Sequence, residues 1–347
     1  MPKISVIVPV YNKAKYLDDC LKSLTSENLE DIEIMVIDDA STDNSLDIIQ
    51  QYKSKYPEKI RVYTNSFNKG VGACRNMGIV FSQGFYITFV DADDFIHPDM
   101  YKDMYKGAEE TGFPEIVSTK ICFINEDEKL NNASLKGQRH KGTSYYLPAT
   151  EDVIVYESPS CCDKLFRMDI ARDINFLEDK RWEDFGYSYG ALFSSKRLLK
   201  FNHYDYFYRR NVKDSRSIIN QDINPDILDI FDVNKQIEEA AIIHNNFKTF
   251  QKEIRIIQIS NCFNRISEVL TWEIPPKEKI ELVKDLKQLV TLEYGDYRKY
   301  DFGLLSDKSS ILDAEIFDDL DIPFYNDDDN KETIKKRIKM NITKVGA

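Results

Sequence analysis

The sequence predicts an α/β fold, a mostly parallel sheet with helices on both faces, followed by a helical carboxyl-terminal region. Two observations carry this. Over residues 1–125 short β-branched runs alternate with longer helical patterns, as repeated strand–helix–strand units do. After about residue 222, apolar residues recur at helical spacing.

The strand candidates are ISVIVPV (4–10), IEIMVID (32–38), IRVYTN (60–65), FYITFVD (85–91) and EIVSTKICFI (115–124). Helices are expected between them near 14–26, 43–55, 70–82 and 98–111. Asp43 is placed to cap the second helix. Gly84 ends the third, and Pro98 fits the first turn of the fourth. Residues 126–150 are polar and aperiodic, a loop or hairpin, and 151–220 are mixed and rich in aromatics. Helices are expected over 226–245, 247–272 and 276–293, with Pro275-Pro276 separating the last two. An acidic stretch, 313–329, precedes a helix over 331–345 whose Ile334, Ile338 and Ile342 lie among lysines.

Composition excludes several classes. The chain has 347 residues, 42% hydrophobic and 31% charged, which is globular rather than disordered. A formal charge of −12 argues against a nucleic-acid partner. The six cysteines form no C-x-x-C, and Cys161-Cys162 are adjacent. That suits reduced thiols in a cytoplasmic protein. The apolar run at the amino terminus is too short for a signal or a span, and no later stretch is long enough to cross a membrane.

In such sheets ligands sit beyond the carboxyl ends of the strands. Strand one ends in Pro9-Val10-Tyr11-Asn12 with no glycine-rich phosphate loop. Strand two ends in Asp38-Asp39. Strand three leads into Asn68-Lys69-Gly70-Val71-Gly72 and then Arg75-Asn76 at the start of a helix, whose positive end favours an anion. Strand four ends in Asp91-Ala92-Asp93-Asp94. Asp91 and Asp93 are two apart, so in extended chain both face one side. Two such carboxylates suit Mg²⁺ or Mn²⁺ completed by substrate phosphates. A solvated acidic turn would use the same residues.

Taken together, the four strand ends resemble the family 2 glycosyltransferases, which have the GT-A fold, a Rossmann-like nucleotide-sugar-binding architecture. The resemblance is close over residues 3–125 and looser to about 220. It implies a GT-A catalytic domain over 1–220, with a nucleotide-sugar half (1–125) and an acceptor and closure half (126–220). Residues 221–347 form a separate helical region. Donor contacts are implied at Pro9, Tyr11, Asp39 (toward a uracil N–H), Asn68 and Arg75. Asp91, Ala92 and Asp93 match the D-x-D element, with Asp93 and Asp91 as ligands of Mn²⁺ or Mg²⁺. RWEDFGY (181–187) matches the family's Glu-Asp motif, making Asp184 the general base and Glu183 its neighbour. Lys164 and Phe166, in CDKLFRMD, look structural. Arg209 or Arg210, with Ser215, match the segment that closes over the diphosphate.

The implied activity is that of an inverting, metal-dependent hexosyltransferase. Its donor is a UDP-sugar (GlcNAc, Glc, Gal or GalNAc). Its acceptor is a glycan, lipid-linked glycan or polymer of a bacterial cell surface. A nucleotidyltransferase would want a glycine-rich loop after strand one, which PVYNKAKY lacks. A non-catalytic binding module would not need the full carboxylate set. The helices after 221 are not part of this resemblance; they can pack on the catalytic domain, hold the acceptor or form a homo-oligomer interface. The basic helix 331–345 can instead lie on an anionic membrane, at the inner face of the plasma membrane, or pair with an anionic polymer.

Overall fold

The computed structural model describes residues 1–125, 127–130, 145–148, 157–210, 225–300 and 330–345. Contacts among them gather into two compact units. One lies within Met1–Thr150 and Ser158–Val212, the other within Glu151–Glu157 and Lys213–Ala347.

The first unit is built on one sheet. Strands β1 (Ile4–Val10), β2 (Ile32–Asp38), β3 (Ile60–Thr64) and β4 (Tyr86–Phe89) lie parallel in the order β3-β2-β1-β4. Every residue of β1, β2 and β4 is buried, as expected of strands covered on both faces. Helices α1 (Ala14–Thr25), α2 (Ser45–Lys55), α3 (Val71–Phe81) and α4 (Met100–Glu110) supply the cover.

Beyond β4 the sheet departs from the expected parallel order. The short strand β5 (Phe95–Ile96) is followed by β6 (Ile116–Asn125), β7 (Tyr145–Pro148), β8 (Lys164–Arg167) and β9 (Arg197–Arg210). Strand β8 sits between β4 and β6 and is antiparallel to both. Strand β9 runs parallel to β6 and antiparallel to β5 and β7. The sheet is therefore mixed. Four residues of β8 flanked by charge carry too little periodicity to announce this. Helices α5 (Met168–Asp173) and α6 (Glu183–Ser194) complete the unit.

Pro9 marks where the sheet opens. In a parallel ladder alternate residues bond to opposite neighbours. Ile7 bonds toward β4, accepting from Val90, and Val10 toward β2, accepting from Asp39. Pro9 therefore faces the β4 side, where pairing has stopped at Ile7↔Phe89. A residue without an N–H costs no ladder bond there. Past this point β1 and β4 are no longer paired as a ladder.

Two cap expectations need correction. Asn44, not Asp43, precedes α2, and it makes no side-chain cap bond. Asp43 accepts from the Ser45 amide and, across the loop, from the Ala14 amide that opens α1. Helix α4 begins at Met100 after Asp99, so Pro98 stands outside its first turn.

The second unit contains a 3-10 turn (Pro225–Leu228), α7 (Asp229–Ile243), α8 (Gln251–Thr271), α9 (Pro276–Tyr294), a second turn (Tyr297–Lys299) and α10 (Lys331–Val345). The isoleucine stripe of α10 is core: Ile334, Ile338 and Ile342 are at most 1% exposed. Arg337 grips Asp285 of α9 with three bonds of 2.6–2.9 Å, and Lys331 pairs with Glu293 at 2.7 Å. The option of a membrane-lying helix is narrowed: the isoleucine stripe packs inside this unit, and Lys336, Lys339 and Lys344 are left exposed. Replacing Ile338 with Ala should destabilise this unit by about 2–4 kcal/mol, the usual cost of a cavity at a closed site. Thermal or urea unfolding reads it, and an unchanged midpoint would mean that α10 does not hold the unit together.

No described helix is long and apolar enough to cross a membrane. The six cysteines are free, with the Cys161 and Cys162 sulfurs 3.9 Å apart.

Candidate active site

The strand ends of the first unit are tied to one another. Asn12, held at a left-handed φ of 51°, turns its Oδ1 to accept from the amides of Thr42 and Asp43. Its own amide donates to Ser41 Oγ, and the Lys13 amide to Ser45 Oγ. Asparagine tolerates that backbone because its short side chain bonds locally. Pro9 is buried beneath this turn and Tyr11 is exposed at its tip.

Asp39, the residue expected to meet a uracil, is buried and heavily used. Its Oδ1 accepts from Asn65 Nδ2 at 2.8 Å and the Lys69 amide at 2.9 Å, and its Oδ2 accepts from the Gly70 amide at 2.8 Å. It therefore fixes the loop after β3. The buried acceptor without a hydrogen-bond partner at this strand end is Asp38 Oδ1. Asn68 is exposed and accepts from the Gly70 amide. Gly70 adopts φ 85°, and a Cβ at Gly72 would meet the Leu177 carbonyl oxygen at 2.5 Å. Glycine at 72 lets α3 approach the 176–178 segment, which Asn76 clamps through both its amide atoms.

Arg75, expected as a donor contact, forms a bridge. Its guanidinium is 2.8 Å from Asp91 Oδ1 and 2.6 Å from Glu183 Oε1, and it lies 5.2 Å from the centre of the Phe176 ring. Residues 108 apart in the chain are thereby joined, and the Glu-Asp pair is brought to the D-x-D turn. Trp182, at φ 56°, aims the pair at the start of α6. Asp184 is half-buried there. Burial, then the Glu183 charge, pushes its carboxyl up to about 7, although Arg75 pulls the other way.

The acidic turn divides its labour. Asp94 is buried and structural, accepting from Tyr206 Oη at 2.7 Å and the Arg209 amide at 2.8 Å. Burial, with Asp93 and Asp91 nearby, pushes its carboxyl well up. Ala92 is buried. Asp91 and Asp93 are each paired on one oxygen, Asp91 with Arg75 and Asp93 with Lys13 at 2.8 Å. Their side chains are 32% and 15% exposed, so each can turn its second oxygen to a ligand. Two hard carboxylates with room for phosphate oxygens fit Mg²⁺ or Mn²⁺, which rarely sit in all-protein cages. Among the described residues no group of three or more metal-binding side chains forms such a cage.

Of the two arginines at the end of β9, Arg209 is an internal brace. It donates to the Asp93 carbonyl, the Glu128 carbonyl and Asp19 Oδ2. Its charge also lies over the Tyr16 and Phe95 rings. Arg210 is exposed and stacks at 3.9 Å on Phe123. Ser215 lies outside the described residues. Lys164 is wholly buried, bonded to Asp163 and to the Ser158 and Ser160 carbonyls, which agrees with a structural role. Sequence reasoning missed Asn12, Lys13, Asn65 and Tyr206 as members of the site. The asparagine after Tyr11 was the readable signal among them.

Residues 5–174 match the family model described as Glycosyl transferase family 2. Residues 5–174, about half of the chain, therefore carry a family 2 glycosyltransferase region. Among family 2 relatives, the chain is 32% identical over 211 residues to the poly(ribitol-phosphate) beta-glucosyltransferase of Bacillus spizizenii; the match covers 59% of this chain and 32% of that protein. It is also 32% identical over 219 residues to the glycosyltransferase GlyA of Streptococcus pneumoniae, covering 60% of this chain and 30% of that one. The matches thus span about a third of either relative. Staphylococcus aureus TarS 1–349, solved with UDP, superposes with a TM-score of 0.54 at 22% identity over 94% of each chain. The chain therefore has the GT-A fold, followed by the helices of its second unit.

Proposed function

We propose that this chain is an inverting glycosyltransferase. It takes a sugar from a UDP-sugar and places it on a hydroxyl of a cell-surface polymer of the polyol-phosphate or glycan kind. The observation that carries this reading is the Arg75 bridge. It sets Asp184, with its carboxyl near 7, beside a D-x-D turn that can meet a diphosphate.

The chemistry needs a base at the acceptor hydroxyl, and a carboxylate titrating near neutral pH is well matched to that task. Asp184 removes the proton as the hydroxyl attacks the anomeric carbon from the face opposite the nucleotide. The bond to the diphosphate breaks with inversion, and no covalent sugar–enzyme intermediate forms. Glu183, neutralised by Arg75, holds Asp184 in place. Asp91 and Asp93 would hold Mg²⁺ or Mn²⁺, which supplies positive charge to the leaving diphosphate. Asp38 and Asp39 frame the position of the base, and Arg210, exposed and stacked on Phe123, is a cation that would turn to the phosphates. TarS 1–349 has been solved with both UDP and UDP-GlcNAc, which supports a uridine donor. The name of the Bacillus relative supports a polyol-phosphate acceptor.

Calorimetric titration with UDP, CDP and GDP, with and without Mn²⁺, tests the donor half. UDP should bind best, about tenfold or more tighter with the metal. Asp93→Asn should remove most of that gain. Turnover of UDP-sugars with a polyol-phosphate acceptor tests the rest. A chain that binds no nucleotide under any of these conditions is not this enzyme.

A further inference from the structure

Lys13 has no part in the reaction as described, yet its pairing with Asp93 places it at the D-x-D turn. Lys13 Nζ lies 2.8 Å from Asp93 Oδ2, and the two side chains are 17% and 15% exposed. The lysine's backbone is fixed from two sides. Its amide donates to Ser45 Oγ, and its carbonyl accepts the Tyr16 and Leu17 amides at the start of α1. The ammonium therefore reaches across from the end of β1 to the end of β4 on a flexible stem.

Around it three carboxylates share two cations. Asp91 and Glu183 share Arg75, and Asp93 has Lys13. A divalent cation arriving alone at Asp91 and Asp93 would meet an ammonium already on one of its ligands. It would either displace that ammonium or sit against a like charge, and both are unfavourable in a partly desolvated site. A diphosphate changes the balance. Its oxygens offer Lys13 a new partner, and a lysine, unlike a forked guanidinium, exchanges one oxygen for another with little geometric penalty.

We propose that Lys13 is a built-in counter-ion that reserves the D-x-D turn for a cation accompanied by a diphosphate. It holds Asp93 until donor arrives and transfers to a donor phosphate when nucleotide and cation enter together. Metal and nucleotide binding are thereby coupled, each raising the affinity of the other by the same factor. The inference rests on the donor and metal reading above.

The test is Mn²⁺ binding followed by electron paramagnetic resonance, on the full chain, with and without UDP. Wild type should bind Mn²⁺ weakly alone and much more tightly with UDP. Lys13→Met keeps the stem and the backbone bonds. It should bind Mn²⁺ alone about tenfold tighter, and UDP should add much less than in wild type. Lys13→Arg keeps the charge and should leave Mn²⁺ binding without nucleotide as weak as in wild type. If K13M binds Mn²⁺ alone no better than wild type, while D93N loses the UDP-dependent binding, the counter-ion role is wrong and the metal site stands. If D93N binds Mn²⁺ with UDP as wild type does, the metal site is wrong and the proposal falls with it.

Discussion

Replacing Asp184 with Asn is expected to cut turnover about 10²–10⁴-fold and, at pH 8, to make the protein more stable. Both effects come from the same placement. The carboxyl is half-buried at the start of α6, beside Glu183 and Asp91, and its pKa is raised from 3.8 to about 7. A raised carboxyl pKa means that the folded chain keeps a proton that the unfolded chain has already released. The stability due to neutral Asp184 is full below about pH 3.8 and is lost as pH rises through 7. At pH 8 the ionised group is a burden that Asn lacks. A shift of about three units corresponds to about 4 kcal/mol. Relaxation of Glu183 and Arg75 brings the expected gain nearer about 1–3 kcal/mol.

Activity has the opposite dependence, since a base must be ionised. For wild type kcat/KM should climb about tenfold per pH unit up to about 7 and then level. The residual rate of D184N should lack that limb. Unfolding at pH 5 and pH 8 completes the test, because the stabilisation should be largest at the higher pH. Full turnover in D184N would remove Asp184 from the chemistry. Lost turnover with lost stability at pH 8 would make it a structural residue.

The fold of the first 125 residues was legible because its strands are covered on both faces. Apolar runs such as ISVIVPV and IEIMVID have few other uses, and β1 and β2 match them residue for residue. Sheet order was less legible. The antiparallel β8 is placed by its neighbours β4 and β6, and a local pattern cannot state which strands a segment lies between. The site was half legible for a similar reason. Chemistry-bearing residues stand at strand ends, where they can be read in order, but their ionic partners do not. Lys13 meets Asp93 across 80 positions, and Arg75 meets Glu183 across 108. The choice between Arg209 and Arg210 turned on which face of β9 is buried: β6 and β9 pair one to one from Ile121↔Tyr206 to Asn125↔Arg210, with Phe207 and Arg209 buried and Arg210 exposed. Aromatic residues stand on both faces of that segment, Phe207 on one and Tyr206 and Tyr208 on the other, so the local pattern did not announce which face was inward.

Replacing Arg75 with Met should be the most damaging single change in the first unit. Arg75 is 4% exposed, and removing its guanidinium leaves Glu183 buried without its partner and Asp91 without its cation. Breaking a buried pair from one side costs about 3–5 kcal/mol, because the remaining charge has neither water nor partner. The loss should be largely recovered by adding Glu183→Gln, which removes that charge. Glu183→Gln alone should cost less, since Arg75 keeps Asp91. The double-mutant cycle therefore separates two roles that single variants confuse. If R75M/E183Q regains stability but not turnover, Arg75 acts by holding the Glu-Asp pair against the D-x-D turn, and its value lies in alignment. If the double variant regains both, the bridge serves only to bury Glu183, and Asp184 finds its position without it. If R75M alone is as stable as wild type, the pairing of Arg75 with Asp91 and Glu183 does not persist in solution. The Glu-Asp motif would then need another anchor.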